Sequence, residues 1–272
     1  MFSQLKKELS KHNKNLAEIK DDEWENYCQQ TWSEAKVLIG LPNTGSFDDM
    51  DGESPFKSFL KLASYISSLD ESRDWNIITI PRMITHEARN ALAKEAITGG
   101  YTHLMMIDSD HTFRHDLVHR LLLFQKDIIG VRAYKRTSPH YPCIFINHPD
   151  HSDQEAAVFA DAVDMGVMLT DTLGMGAMLI KTEVFKKLSY PYFYFSRTGE
   201  DFNFCRDARE AGMKIFVDTD TEIGHVDQTI ITRKDYLREL EDGTIRQHDE
   251  NMLKLIEREK NNPNINFDKT KR

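Results

Sequence analysis

The sequence predicts an α/β fold with a central, mostly parallel sheet flanked by helices. Short apolar runs at 36–42, 76–80, 103–107 and 127–131 alternate with spans of helical periodicity at 56–66, 85–98 and 116–124. Near-continuous apolar strands separated by helices are what a sheet covered on both faces requires. The third run, His103-Leu-Met-Met-Ile107, leads straight into Asp108-Ser109-Asp110. Sheets of this kind bind ligands beyond the C-terminal ends of their strands.

Each element has a local reason. Lys36-Val-Leu-Ile-Gly-Leu-Pro42 ends at its proline, and the Gly-, Asn-, Asp- and Ser-rich stretch 43–54 is expected to be a loop. Phe59, Leu60, Leu62, Ala63 and Ile66 repeat at helical spacing. Asn76-Ile-Ile-Thr-Ile80 stops at Pro81, and the helix at 85–98 stops at Gly99-Gly100. In the second half, 141–146 is expected to be a strand and 148–157 an exposed acidic loop. Apolar runs at 163–170 and 176–180 are expected to flank a turn at 171–174. Residues 183–188 read as a short helix, the aromatic Tyr192-Phe-Tyr-Phe195 as a strand, 201–211 as a helix stopped by Gly212, and 214–217 as a strand.

Three segments are expected. Residues 1–35 form a charged helical lead-in whose Trp24, Tyr27 and Trp32 pack on the body. Residues 36–230 form the main domain. Residues 231–272 form a helical segment broken at Asp242-Gly243 with a polar, Asn-rich tail.

A chain of 272 residues can bury a sizeable core, and a net charge of −9 gives no general pull toward nucleic acid or anionic membrane. Cys28, Cys143 and Cys205 are scattered and form no CxxC pair, which argues against a disulfide scaffold and for a reducing, cytoplasmic setting. No signal-like apolar core opens the chain, and no apolar stretch approaches a membrane span.

The chemistry concentrates at 103–110. In an extended segment, side chains two apart point the same way, so Asp108 and Asp110 are expected to face one cation beyond the strand end. Carboxylate oxygens suit Mg²⁺ or Mn²⁺. Such pairs also cap strands and begin turns, and Asp116 reads as a helix cap rather than a ligand. His225, in Thr221-Glu-Ile-Gly-His225-Val, offers a third ligand or is a satisfied turn histidine. Asp201, in Gly199-Glu200-Asp201, caps the following helix or serves as a carboxylate base kept ionised by the helix N-terminus. Arg132, Lys135 and Arg136 follow the 127–131 run either as phosphate contacts or as a solvated basic loop.

Taken in order, LMMIDSD at 104–110, GMGAMLIKTEVFKKL at 174–188, GEDFNFCRDAREAGMKIFVD at 199–218 and GHV at 224–226 resemble the GT-A class of glycosyltransferases. With the run at 36–42, the resemblance covers most of residues 36–226. It implies a Rossmann-like nucleotide-diphospho-sugar transferase fold. Asp108 and Asp110, with Ser109 between them, would hold Mn²⁺ or Mg²⁺ and the donor diphosphate, and His225 would be a third metal ligand. Asp201 would be the base of an inverting reaction, with Glu200 beside it on acceptor hydroxyls. Gly176 would lie near the donor sugar, Pro42 and Asn43 at the nucleotide-binding edge, and Arg89, next to Asn90, in the donor site. The donor implied is a UDP-sugar, and the acceptor a hydroxyl on a glycan, lipid, protein or modified DNA base. Small enzymes of this kind occur in bacteria and their viruses.

Two other readings compete. Asp108-Ser-Asp110-His-Thr112 also matches the opening motif of haloacid-dehalogenase-like phosphatases, with Asp108 as nucleophile and Asp110 as acid/base. That family usually carries the motif near its N-terminus, whereas two strand–helix units precede it here. The other alternative is a non-catalytic interaction domain on a degenerate transferase scaffold.

Overall fold

Alternate residues along the central strands enter different cores. Leu38, Leu104, Met106 and Ile128 are buried on one face, and Val37, Ile39, Met105, Ile107 and Ile129 on the other. That is why the runs are apolar without interruption: each strand has helices on both sides. The computed structural model describes residues 2–43, 54–72, 74–147, 157–159, 165–227 and 230–260. Of the expected loops at 43–54 and 148–157, residues 44–53 and 148–156 lie outside them, as do 261–272 of the tail, while Asn43 and Ala157 belong to strands and Ser54 caps a helix.

The chain opens with three helices, α1 (Phe2–Leu9), α2 (Lys14–Ala17) and α3 (Asp21–Ser33), before strand β1 (Val37–Asn43). Helix α4 (Pro55–Ser67), β2 (Asn76–Pro81), α5 (Thr85–Thr98), β3 (His103–Ile107), β4 (His111–Thr112), α6 (Leu117–Leu123) and β5 (Ile128–Arg132) complete the first half. The second half holds β6 (Ile144–Asn147), β7 (Ala157–Phe159), β8 (Val167–Thr170), β9 (Thr172–Leu173), β10 (Ala177–Lys181), α7 (Thr182–Lys186), α8 (Glu200–Glu210), β11 (Ile215–Glu222), β12 (Gly224–Val226), β13 (Ile230–Ile231), α9 (Arg233–Glu241) and α10 (Thr244–Lys260).

The main sheet has the order β2-β1-β3-β10-β5-β11-β8. β2, β1, β3, β5 and β11 point one way, and β10 and β8 point the other. The mixed α/β architecture with a mostly parallel sheet flanked by helices is thus the one the sequence predicts. On one face lie α1, α3, α4 and α6, with Trp24 and Trp32 of α3 buried in the same core as Leu62, Leu121 and Ile129. On the other, Leu92 of α5, Phe185 of α7 and Phe204 of α8 pack together. No helix among the described residues is long and apolar enough to cross a membrane.

Two small sheets stand beside the main one. In the order β13-β12-β4, His225 is paired with His111 and Gly224 with Thr112. In the order β7-β6-β9, Ile144 is paired with Leu173. This second sheet corrects the expected turn at 171–174, because Thr172 and Leu173 form a strand there.

The aromatic stretch 192–195 is not a strand. Its backbone bonds are taken by side chains. Asn90 of α5 accepts from the N–H groups of Tyr192 (2.9 Å) and Phe193 (3.1 Å) and donates to the Phe193 carbonyl (2.6 Å). Asn203 of α8 donates to the carbonyl of Tyr194 (2.7 Å) and accepts from the hydroxyls of Ser196 (3.0 Å) and Thr198 (3.1 Å). The ring of Phe193 is stacked on Phe204 at 4.8 Å. Two buried asparagines therefore moor the loop that leads into α8.

Candidate active site

β3 ends at Ile107, and the chain turns at Ser109–Asp110 before β4. The alternation of an extended strand therefore stops short of both aspartates, and their side chains part company. The Asp108 N–H is bonded to the Gly176 carbonyl at 3.0 Å. Its carboxylate accepts from Arg89 Nη2 through both oxygens, at 2.9 and 3.0 Å. Asp110 is carried across to β12, where its Oδ2 lies 3.2 Å from His225 Nε2. Its Oδ1 lies 2.8 Å from His111 Nδ1.

Asp110, His111 and His225 each offer a ligand atom, all within 4.8 Å of one another. Asp108 is not in that group. Of the three residues expected at a cation, the structure brings Asp110 and His225 together, with His111 beside them, and leaves Asp108 outside the group. The two imidazoles are stacked, with centroids 4.2 Å apart. Burial disfavours ionisation of Asp110, but the two imidazoles outweigh it and hold this carboxyl well below the usual range. His225 is pushed the other way: burial opposes its proton, and Asp110 raises its pKa nonetheless.

The hydrogen bonds of His225 identify what the corner suits. Its Nδ1 faces the Tyr134 carbonyl at 2.8 Å, and a carbonyl only accepts, so Nδ1 carries the proton. In the neutral ring, Nε2 then presents a lone pair to the acceptor oxygen of Asp110. Two acceptors at 3.2 Å call for a proton or a cation between them. A backbone carbonyl that sets the tautomer is also the usual outer partner of a metal-bound histidine. His111 Nδ1 is likewise buried without a hydrogen bond of good geometry, despite the nearness of Asp110. Two imidazoles and one carboxylate suit a first-row transition-metal ion better than Mg²⁺.

Gly176, at the mouth of β10, makes the corner possible. A Cβ there would lie 2.8 Å from His111 Nε2 and 3.0 Å from Ile223 Cδ1.

On the other side of Asp108, carboxylates gather around one buried cation. Arg89 is 3% exposed, and its Nε lies 3.5 Å from Glu200 Oε1. Asp201, the second residue of α8, does not cap the helix from outside: the N-cap position belongs to Gly199. Its Oδ1 accepts from the Phe202 N–H at 2.9 Å. Burial first, and then the charge of Glu200, push the Asp201 carboxyl up to about 6. This exceeds the stabilising pull that the helix N-terminus was expected to provide. Burial also pushes Asp108 up, against the opposing charge of Arg89.

The remaining predicted residues lie around these two groups. Pro42 and Asn43 form the C-terminal end of β1, in register with Ile80 and Pro81. Ser109 is buried in the turn. Arg136 Nη1 is 3.7 Å from Asp110 Oδ2 and its side chain is 46% exposed. Arg132, by contrast, is buried 3.7 Å from Glu222, and Lys135 lies over the Tyr141 ring. Asp116 occupies the N-cap position of α6 but spends its carboxylate on Arg114.

No family model and no curated protein matches the chain. Among solved structures it is similar to A197 from STIV, with 17% identity over 71% of this chain and 86% of that one, at a TM-score of 0.48. It is also similar to GalNAc-T7, solved with UDP, GalNAc and Mn²⁺, with 13% identity over 76% of this chain and 48% of that one, at a TM-score of 0.38. Likenesses this loose say nothing of ligand or activity in this chain. Its own site defines a doubly covered α/β domain with an imidazole–carboxylate corner and a buried arginine–carboxylate group at one strand end.

Proposed function

We propose that the chain is a metal-dependent glycosyltransferase that moves a sugar from a nucleotide-diphospho-sugar, with UDP as the expected nucleotide, onto an acceptor hydroxyl with inversion. The observation that carries this reading is the junction at Asp108. That carboxylate lies within electrostatic reach of Arg89 and Glu200 on one side and of Asp110 and His111 on the other. A cation corner and, across Asp108 and Arg89 from it, a carboxyl raised to about 6 at Asp201 are the two groups that inverting sugar transfer from a diphosphate uses. The sequence motifs resemble the same class in the same order.

Asp110, His111 and His225 would hold Mn²⁺. When bound, it supplies Lewis-acid stabilisation of the departing diphosphate. Asp201 takes the proton of the acceptor hydroxyl, with a pKa near 6 that suits a general base at neutral pH. The acceptor oxygen forms its bond to the anomeric carbon as the bond from that carbon to the diphosphate oxygen breaks. The electron pair leaves on the nucleoside diphosphate. Arg89 keeps Asp108 and Glu200 in place around this centre, and Glu200 is next to Asp201 to orient acceptor hydroxyls. Pro42 and Asn43 would edge the nucleotide, and Gly176 would allow close approach of the sugar.

A phosphatase would use Asp108 as a free nucleophile, whereas both its oxygens accept from Arg89.

The test is a nucleotide-sugar panel with Mn²⁺, read by nucleoside diphosphate release. Wild type is expected to turn over one donor, and Asp110→Ala to lose both turnover and Mn²⁺ binding. Release that persists in Asp110→Ala overturns the site. Hydrolysis of p-nitrophenyl phosphate that vanishes in Asp108→Asn would favour the phosphatase. Silence on every donor, with no thermal shift by Mn²⁺ and nucleotide, would favour the interaction domain.

A further inference from the structure

The C-terminal helices grip the stretch 134–141, whose inner side touches the cation corner. Tyr134 offers His225 its carbonyl, and Arg136 reaches toward Asp110. From outside, Tyr134 and Tyr141 pack with Tyr236 of α9 and Ile245 of α10. The Tyr141 hydroxyl donates to Asp249 of α10. Buried within this apolar contact is Glu239 of α9, only 6% exposed. Its Oε1 accepts from the Ser138 hydroxyl at 2.5 Å, and its Oε2 from the His140 N–H at 2.6 Å. The loop is closed inside by Lys135 N–H to the Tyr141 carbonyl (2.9 Å) and by His140 Nδ1–H to the Lys135 carbonyl (3.0 Å).

Burying a carboxylate is costly unless its oxygens are bonded, and an apolar residue would cover Tyr134 without that cost. Glu239 instead spends both oxygens on the one loop that carries Arg136. We propose that Glu239 is a positioning residue, clasping 135–140 so that the Arg136 guanidinium faces a diphosphate held at the Asp110 corner. This rests on the transferase reading above. Arg136 suits that role, because its side chain is half exposed and guanidinium binds phosphate oxygens in bidentate fashion. The C-terminal helices then serve the donor site.

The test measures binding of inorganic pyrophosphate with Mn²⁺ by calorimetry, and of Mn²⁺ alone by electron paramagnetic resonance, on the full chain. Arg136→Ala and Glu239→Gln are each expected to weaken pyrophosphate about tenfold while leaving Mn²⁺ affinity within about threefold, and the double variant to be no weaker than Arg136→Ala. Ser138→Ala, which keeps the second bond, is expected to lose about threefold, and covers the case in which Glu239→Gln does not fold. Wild-type affinity in Glu239→Gln or Ser138→Ala, or losses that multiply in the double variant, overturn the clasp and leave the transferase reading intact. A wild type that takes up Mn²⁺ but no pyrophosphate removes both.

Discussion

Asp108 and Asp110 are separated by one residue and sit in opposite electrostatic settings. On the arginine side, Asp108 and Glu200 pair with the buried Arg89, whose charge also reaches Asp201, and burial pushes the carboxyls of Asp108 and Asp201 up. On the imidazole side, Asp110 lies between two histidines and is held low. A turn placed directly after β3 divides one short motif into two environments. The proposed roles rest on that contrast: a carboxyl held low suits a cation, and one raised toward neutral pH, as at Asp201, suits a proton acceptor.

The largest expected effect breaks the arginine side alone. Asp201→Asn should cut turnover by roughly 10²- to 10⁴-fold while donor and Mn²⁺ affinity stay near wild type. In wild type, kcat should rise with pH through about 6 as Asp201 ionises. The same shift acts on stability with a definite sign. The folded chain holds this proton more tightly than the unfolded chain does. The stability the group supplies is therefore complete below its ordinary value of 3.8 and is lost as pH rises through about 6. At pH 8 the buried charge burdens the fold by on the order of 1 kcal/mol, allowing for its partial exposure, and the neutral amide should raise Tm there. A variant that lost activity and stability together at pH 8 would count against Asp201 as a buried base.

The sheet and the first half of the fold were legible because each strand carries its own reason in apolar side chains and a proline or polar stop. Asp110 was readable as a candidate because an apolar run leads straight into an acidic pair, and His225 because Gly224-His225-Val226 falls last in the order of motifs that carries the resemblance. His111 was not, since only the pairing of β4 with β12 stacks it on His225. The Tyr134 carbonyl leaves no trace in side-chain identity. The stretch 192–195 has strand composition, but Asn90 and Asn203 take its backbone bonds, and side-chain-to-backbone competition is invisible to periodicity. The strand alternation applied to Asp108 and Asp110 fails for the same kind of reason: it holds only while the backbone stays extended.

The imidazole side is tested by His225→Ala. It removes one donor of the corner and strands the Tyr134 carbonyl. Mn²⁺ affinity should fall at least tenfold, and added Mn²⁺ should restore much of kcat, because Asp201 and its surroundings are untouched. Loss of turnover that saturating Mn²⁺ cannot restore would place His225 on the arginine side of the divide instead.

The smallest effect probes the backbone between the two sides. Gly176 gives its carbonyl to the Asp108 N–H and leaves open the space that His111 fills. In Gly176→Ala, the added methyl would stand 2.8 Å from His111 Nε2, which real side chains essentially never do, so the imidazole must move. Because His111 is buried and stacked on His225, it can give only by shifting the corner. Overpacking of this kind costs about 1–3 kcal/mol, so a lower Tm is expected. Mn²⁺ affinity should fall about threefold, less than on deleting a ligand, because donors are displaced rather than lost. The carbonyl of residue 176 still holds Asp108, so the Asp201 limb of the pH profile should stay near 6. A pH limb that moves while Mn²⁺ affinity does not would mean that Gly176 supports the arginine side, and the division drawn at Asp108 would be in the wrong place.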